Sequence, residues 1–462
     1  MVKTVSPIDG KIFVERKLAT SEDLNKALAA SVKAQKNWRS LPLDKRQEYV
    51  SKMVDAFIKK KQKIAEELTW QMGRPLRYTP FEVDRFEERA RMMIRLAPEG
   101  LADVQVEPRD GFTRFIRRVP LGVALVLAPW NYPYLTAVNA VVPALLAGNS
   151  VVLKHSAQTP LCSERIVQAA EEASLPEGVI QFLHMSHGLV AEAIKDDRVN
   201  HVAFTGSVEG GRDVQHSMAD RFITMGLELG GKDPAYVRKD ADLTFAIDNV
   251  VDGAYFNSGQ SCCGIERVYV DEAVYDAFVE GAVELVKKYV LGNPLEKDVT
   301  LGPVVSISSA RDIQAQIDQA VTAGAKALID PKHFPAASPG TTYLAPQLLV
   351  NVDHKMDVMY EETFGPVVGI MKVKNDEEAI ELMNDSPYGL TASIWTSDEE
   401  AALRIGGRIE TGTVFMNRCD YLDPELAWVG VKNSGRGCTL SRVGYEYLTR
   451  PKSFHYRTKI PK

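Results

Sequence analysis

The stretch from Leu121 to Leu153 constrains the fold most: 33 consecutive residues carry no charged side chain. About 20 apolar residues can cross a bilayer, so the run is long enough to be a membrane span. Yet Pro129, Pro133 and Pro143 interrupt it, and Asn131, Asn139 and Asn149 would need hydrogen-bond partners in lipid. A strand, loop, helix and second strand, all buried, takes the same residues without those costs. Strands covered on both faces read as continuous apolar runs. The run therefore predicts a parallel-sheet core unit and no membrane span.

Its neighbours repeat the alternation. Val123–Leu127, Val151–Lys154, Ile180–His184 and Val202–Thr205 read as short buried strands, with Asn139–Leu146 and Leu161–Ala173 as helices between them. Such alternation predicts a parallel sheet with right-handed crossovers. Three helices precede it. The first starts at Thr20/Ser21, ahead of Glu22 and Asp23, and carries Leu24, Leu28 and Val32 at helical spacing. The second runs from about Lys45 to Trp70 and the third from about Thr79 to Leu96. Val104–Val119 changes to a period of two around Asp110-Gly111, a hairpin signal. A lone hairpin is marginal, so this one is expected to pack on something, such as another subunit. A second α/β region runs from about Lys232 to Val431, with strands at Val268–Val270, Val367–Val373 and Val414–Asn417 and a helix at Ala273–Tyr289. The polar tail after Val443, with Phe454 and Tyr456, reads as an edge strand on a neighbour.

Composition narrows the class. The 462 residues suit two large domains or three smaller ones, and a net charge of −6 gives no basic surplus for nucleic acid. The longest basic run, Lys59–Lys63, sits on a helix whose apolar face is Met53, Phe57, Ile64 and Leu68, and so reads as a solvated face. The five cysteines, Cys162, Cys262, Cys263, Cys419 and Cys438, are odd in number and form no C-x-x-C pair. That pattern argues against a disulfide framework and against a zinc site, and it favours a reducing cytoplasm. Met1–Gly10 has no signal or transit character, and the terminal Ile-Pro-Lys is no peroxisomal address.

Four short segments carry chemistry. In Phe256-Asn257-Ser258-Gly259-Gln260-Ser261-Cys262-Cys263, a glycine-containing turn precedes a cysteine. Nearby backbone N–H groups could stabilise a thiolate and an oxyanion there, although a lone cysteine is more often a small buried hydrophobe. In Glu228-Leu229-Gly230-Gly231-Lys232, a carboxylate sits in apolar company, where burial raises its pKa toward that of a general base. A helix-end salt bridge is the plainer reading of Glu228 alone. In Pro129-Trp130-Asn131-Tyr132-Pro133, an asparagine fixed between prolines is a rigid amide donor, or simply a polar loop residue. Phe204-Thr205-Gly206-Ser207-Val208-Glu209-Gly210-Gly211 follows a strand and should open a helix whose N-terminus attracts phosphate. It is not the G-x-G-x-x-G fingerprint.

Taken together, these segments resemble the aldehyde dehydrogenase superfamily over essentially the whole chain. They occur in the family's order, and Glu228 and Cys262 are 34 residues apart, as in the family pattern. Glu361-Glu362-Thr363-Phe364-Gly365-Pro366, Asn384 with Tyr388-Gly389-Leu390, and Lys432-Asn433-Ser434-Gly435 are further family blocks. The resemblance implies an α/β fold with a Rossmann-type cofactor domain over 1–101 and 120–231 and a catalytic domain over 232–431. It also implies an oligomerisation hairpin at 102–119 and a tail at 432–462, pairing across subunits in a homodimer or homotetramer.

The resemblance further implies that Cys262 is the nucleophile, that Asn131 and the Cys262 N–H hold the oxyanion, and that Glu228 activates the hydrolytic water. Keeping Glu228 favours release of a free acid over transfer to CoA. Glu362 would bind the nicotinamide ribose of NAD or NADP, with Phe364 and Trp130 near the ring. Lys154 and Ser156 would meet the adenosine ribose, and Gly206 and Ser207 the pyrophosphate. No role is implied for Cys263.

Some positions depart from the family. Ala157 stands where many NAD-using members carry a ribose-binding Glu, so NADP, or both cofactors, becomes plausible. Asn139 and Phe256 stand where succinate-semialdehyde dehydrogenases of the well-known type carry arginines. Neither is cationic, which favours a neutral tail, and Trp428 with Tyr132, Tyr134 and Phe256 suggests a largely aromatic wall for an apolar or aromatic aldehyde. Arg418 is either a cation supplied from another side or a structural ion pair. The rival readings are a semialdehyde dehydrogenase, a cofactor-independent cysteine hydrolase and an inactive scaffold.

Overall fold

The structure, a computed structural model, describes residues 1–460; the last two residues of the expected tail over 432–462 lie outside the described residues. The charge-free run folds as a strand, Val123–Ala128, a helix, Pro133–Leu146, and a strand, Ser150–His155. Every residue of the first strand is buried. Pro133 opens the helix, where a missing N–H costs nothing, and Asn149 bridges the Gly122 amide (2.9 Å) and the Leu448 carbonyl (2.9 Å).

These strands belong to a six-stranded sheet in the order Gly435–Arg436, Thr224–Glu228, Val199–Thr205, Val123–Ala128, Ser150–His155, Ile180–Phe182. All its pairings are parallel except that of Gly435–Arg436. The chain leaves Val123–Ala128 toward one edge, through Ser150–His155 and Ile180–Phe182. It then returns to the other side with Val199–Thr205. That reversal is a topological switch point, where open α/β sheets bind ligands at the carboxyl ends of their strands.

A seven-stranded sheet follows: Lys326–Ala327, Gln347–Val350, Val367–Val373, Ile265–Asp271, Asp233–Val237, Thr391–Trp395, Thr413–Met416. It is parallel apart from its first pair. Residues 229–232 carry the chain from the first sheet to the second, so Glu228 stands at the crossing.

The expected helix from Lys45 to Trp70 is two helices, Leu43–Ile58 and Lys61–Met72. The apolar spacing from Phe57 to Ile64 is seven residues and continues through the break, so periodicity alone hides it. The expected tail strand forms, as Thr449–Arg457, but it pairs along its full length with Phe112–Pro120 of the same chain. Val104–Gln105 completes this three-stranded sheet. Among the described residues, no helix is long and apolar enough to cross a membrane.

Candidate active site

Cys262 is carried by a turn that few residues can make. After the helix Leu243–Tyr255, the segment Phe256–Gly259 puts Asn257, Ser258 and Gly259 at φ +54°, +57° and +71°. Asparagine tolerates that left-handed region and glycine favours it. Neighbours pin the turn. Ser258 Oγ donates to the Gly302 carbonyl (2.8 Å), Gln260 Nε2 donates to the Asn257 carbonyl (3.0 Å), and Gln260 Oε1 accepts from the Val305 amide (2.8 Å). A β-carbon at Gly259 would stand 2.0 Å from the Gly365 carbonyl oxygen. The half-buried Cys262 is thereby presented to a cavity of about 230 Å³.

Glu228 reaches the same cavity from the end of its strand. The glycines after it are dictated by packing. A β-carbon at Gly230 would lie 2.5 Å from Glu362 Oε2, and one at Gly231 would lie 2.1 Å from the Cys262 carbonyl oxygen. Glu228 Oε1 accepts from the Thr439 hydroxyl (2.6 Å) and Oε2 from the Thr205 hydroxyl (3.5 Å). Thr439 is itself fixed by two backbone bonds with Trp428 (2.9 and 3.0 Å). Burial pushes the Glu228 carboxyl up, opposed by the Thr439 hydroxyl, the Arg89 charge and the Thr205 hydroxyl. A carboxyl raised in this way, with a water-sized space beside it, can take a proton from water.

Asn131 follows the strand Val123–Ala128 and does not line the cavity; its Nδ2 donates to the Gln260 carbonyl (3.3 Å), two residues before Cys262. Its own carbonyl accepts from the buried Arg74 guanidinium, which also pairs with Glu82. Arg74 donates to Asn257 Oδ1 (3.0 Å) and stacks on the Tyr132 ring (4.2 Å). Glu82 Oε1 accepts from the Tyr134 amide (2.9 Å). One buried ion pair thus ties the Asn131 loop to the Cys262 turn. Sequence reading missed Arg74, Glu82 and Thr439.

Asn139, Phe256 and Trp428 line the cavity, as does Tyr132. Tyr134 does not: it is fully buried in the core, 5.1 Å from the Phe57 ring. Glu82 holds its amide as the helix starts, and the side chain turns inward. Arg418 is also off the wall, its guanidinium 3.6 Å over the Tyr421 ring. The wall holds three guanidinium groups that sequence reading did not weigh, Arg74, Arg85 and Arg89. Cys263 is buried and donates to Asp420 Oδ1 (2.9 Å). The Cys262 hydrogen bond, burial and the Asp420 charge push the Cys263 thiol far up, and burial pushes the Asp420 carboxyl up to about 6.

The residues expected to meet a dinucleotide lie elsewhere around the switch point. Trp130, Lys154 and Ser156, and Gly206 and Ser207 follow or end three adjacent strands at their carboxyl ends. Ser207 caps the helix Val208–Ser217, accepting from the Gly210 amide (3.1 Å). The other N–H groups of that first turn have no intrahelical acceptor and suit an anion. Trp130 meets Phe364 edge-on, with ring centroids 5.6 Å apart. Glu362 accepts from the Gly231 amide (2.9 Å), and burial next to Glu266 pushes it up to about 8. A buried Lys232–Glu266 pair anchors this segment, since Glu266 accepts from the Thr363 (2.8 Å) and Phe364 (2.9 Å) amides. Phosphate-seeking N–H groups, the Glu362 carboxyl and an aromatic pair fit a dinucleotide.

Known proteins resemble the chain over its length. A family model described as the aldehyde dehydrogenase family matches residues 1–454. The chain is 32% identical to succinate semialdehyde dehydrogenase [NAD(P)+] Sad of Escherichia coli, covering 96% of this chain and 95% of that protein. It is 31% identical to betaine aldehyde dehydrogenase of Bacillus subtilis, covering 95% and 90%. The solved structure of an NAD-dependent aldehyde dehydrogenase from Sinorhizobium meliloti superposes with a TM-score of 0.95 at 30% identity, covering 100% of this chain and 92% of that one.

Proposed function

The chain belongs to the aldehyde dehydrogenase family, and on that premise we propose that it oxidises a small aldehyde to the free carboxylic acid with NAD or NADP. The observation that carries this reading is the convergence of Cys262 and Glu228 on one cavity, beside an asparagine amide held at the same turn. Cys262 Sγ adds to the aldehyde carbonyl. The Asn131 amide stands behind the cavity wall with one hydrogen given to the Gln260 carbonyl, and a small turn of the side chain would bring its other hydrogen to the oxygen that becomes negative. When bound, the nicotinamide supplies the acceptor for the hydride that this adduct must lose. Glu228 then takes a proton from the water that attacks the resulting thioester, and Cys262 leaves as the thiolate.

Trp130, Phe364 and Glu362 would hold the nicotinamide riboside, with Gly206 and Ser207 at the pyrophosphate and Lys154 and Ser156 at the adenosine ribose. Relatives named for succinate semialdehyde and for betaine aldehyde are similarly close, so kinship does not choose the substrate. We assign the six-stranded sheet to cofactor binding and the seven-stranded sheet to the nucleophile. The unpaired outer edge of Thr449–Arg457 we assign to contact with a second copy of the chain.

The test is nicotinamide reduction followed by absorbance with each cofactor. Cys262→Ala should abolish oxidation and keep cofactor binding. Glu228→Gln should give a single burst of reduced nicotinamide, close to one per site, and then stall. Steady turnover by either variant would overturn the corresponding role.

A further inference from the structure

The helix Thr79–Gly100 turns Glu82, Arg85 and Arg89 toward the cavity, at helical spacing. Three guanidinium groups line the wall, and two are neutralised: Arg74 pairs with Glu82, and Arg85 pairs with Glu88 at 2.6 Å. Arg89 is different. It is only 8% exposed, and no carboxylate among the described residues lies within salt-bridge distance of it. Only its Nη1 is hydrogen-bonded, to the Leu135 carbonyl (2.8 Å) and to Asn139 Oδ1 (3.4 Å). Nε and Nη2 have no partner among the described residues.

The neighbouring wall adds more hydrogen-bonding capacity of the same kind. The Tyr132 hydroxyl and Asn139 Nδ2 are both buried without a partner, and both residues line the cavity. The carboxylates of the wall, by contrast, are already engaged: Glu228 by Thr439 and Thr205, Asp420 by Cys263 and Ser261. A buried charge without a carboxylate in direct contact is costly, and arginine does not shed its proton to avoid that cost. A guanidinium and two further donors without acceptors complement an oxyanion.

We propose that Arg89 anchors an anionic group, a carboxylate or a comparable oxyanion, at the end of the substrate remote from its aldehyde carbon. Asn139 and Tyr132 complete the anion site. The cation comes from the helix before the core unit, not from the positions of Asn139 and Phe256. A cavity of about 230 Å³ has room for an aldehyde of a few carbons with such a tail. The proposal rests on the reading of Cys262 and Glu228 as an aldehyde-oxidising pair.

The experiment compares succinate semialdehyde with pentanal, a neutral aldehyde of similar length, in the wild type, Arg89→Gln and Arg89→Lys. It adds calorimetric binding of succinate to each folded protein. The wild type should favour the carboxylate-bearing aldehyde in kcat/KM. In Arg89→Gln that preference should fall by about 30-fold, chiefly through KM, as expected for loss of a charge-assisted contact. Arg89→Lys should recover part of it, and succinate affinity should follow the same order. A wild type that prefers pentanal would overturn the proposal. So would equal losses on both aldehydes with a shifted acid limb in the pH profile, which would mean that Arg89 acts through Glu228. If no aldehyde is oxidised yet succinate binds in an Arg89-dependent way, the anion site stands and the oxidation reading fails. If succinate does not bind and no preference is seen, the anion site fails.

Discussion

Gly231 and the carbonyl of Cys262 are so close that a β-carbon on the glycine would sit 2.1 Å from the carbonyl oxygen. The segment that carries Glu228 and the turn that carries Cys262 thus pack backbone to backbone, which fixes Glu228 relative to Cys262. Gly231→Ala should force the two apart. Displacements near 1 Å in a reacting site cost about 100-fold in rate, so kcat should drop by that order while circular dichroism shows a folded protein. Unchanged kcat would mean that the contact is not what sets the geometry.

The Arg74–Glu82 pair is buried on both sides, at 2% and 0% side-chain exposure. Removing one partner of such a pair typically costs about 3–5 kcal/mol. Glu82→Gln should therefore lower the urea midpoint markedly and also slow oxidation, because Arg74 holds the Asn131 carbonyl. Loss of stability with full activity would separate Asn131 from this network.

Thr439 donates a hydrogen bond to the ionised Glu228 and so lowers its pKa. In Thr439→Val the carboxyl should titrate at higher pH. The base works when deprotonated, so the acid limb of thioester hydrolysis should move to higher pH, as read from the steady-state rate after the burst. A limb that stays in place would sink the assignment.

Glu362 is held near 8 from an ordinary value of 4.5. Between those pH values the folded chain keeps a proton that the unfolded chain has lost. Stability should therefore fall as pH rises through this window. Glu362→Gln removes the penalty, and its gain in melting temperature over the wild type should grow from pH 5 to pH 8. A constant difference would mean that the carboxyl titrates normally.

Alkylation should discriminate among the thiols. Cys162, Cys263 and Cys438 are buried, with thiols pushed up mainly by burial and, at Cys263, by its bond to Cys262. Burial also pushes up the Cys419 thiol. Limited iodoacetamide should modify the Cys262 peptide first, in step with loss of activity. Early labelling elsewhere, with activity retained, would contradict the nucleophile.

Strands such as Val123–Ala128, Ser150–His155 and Val367–Val373 were legible because they are built on continuous apolar runs, whereas Thr224–Glu228, Asp233–Val237, Gln347–Val350 and Thr391–Trp395, each short and carrying polar residues or a proline, went unread. Cys262 and Glu228 were singled out only through the order and spacing of several motifs together, since the Cys262 segment carries one glycine in eight residues and each residue alone has a plainer reading. The helix Thr79–Gly100 held a signal that went unread. Its buried stripe runs through Thr79, Glu82, Val83, Phe86, Arg89, Ala90, Met93 and Ala97. Two charged residues in a core stripe mark either a buried pair or a binding site, and here Glu82 is the first and Arg89 the second. Tyr134 misled for the opposite reason, since a tyrosine beside a catalytic loop looks the same in sequence whether it faces the cavity or the core. The break at Lys60 is invisible because helical periodicity resumes in phase.

The hydroxyl that orients Glu228 comes from Thr439, and the strand that ends at Glu228 is edged by Gly435–Arg436. Both belong to the last thirty residues of the chain. During synthesis Cys262 and Glu228 leave the ribosome well before the segment that carries Thr439. A chain cut short after its second sheet would keep Cys262, Glu228 and Asn131 and lose the hydroxyl that orients the Glu228 carboxyl, so the alignment of that carboxyl is among the last features of the fold to be completed.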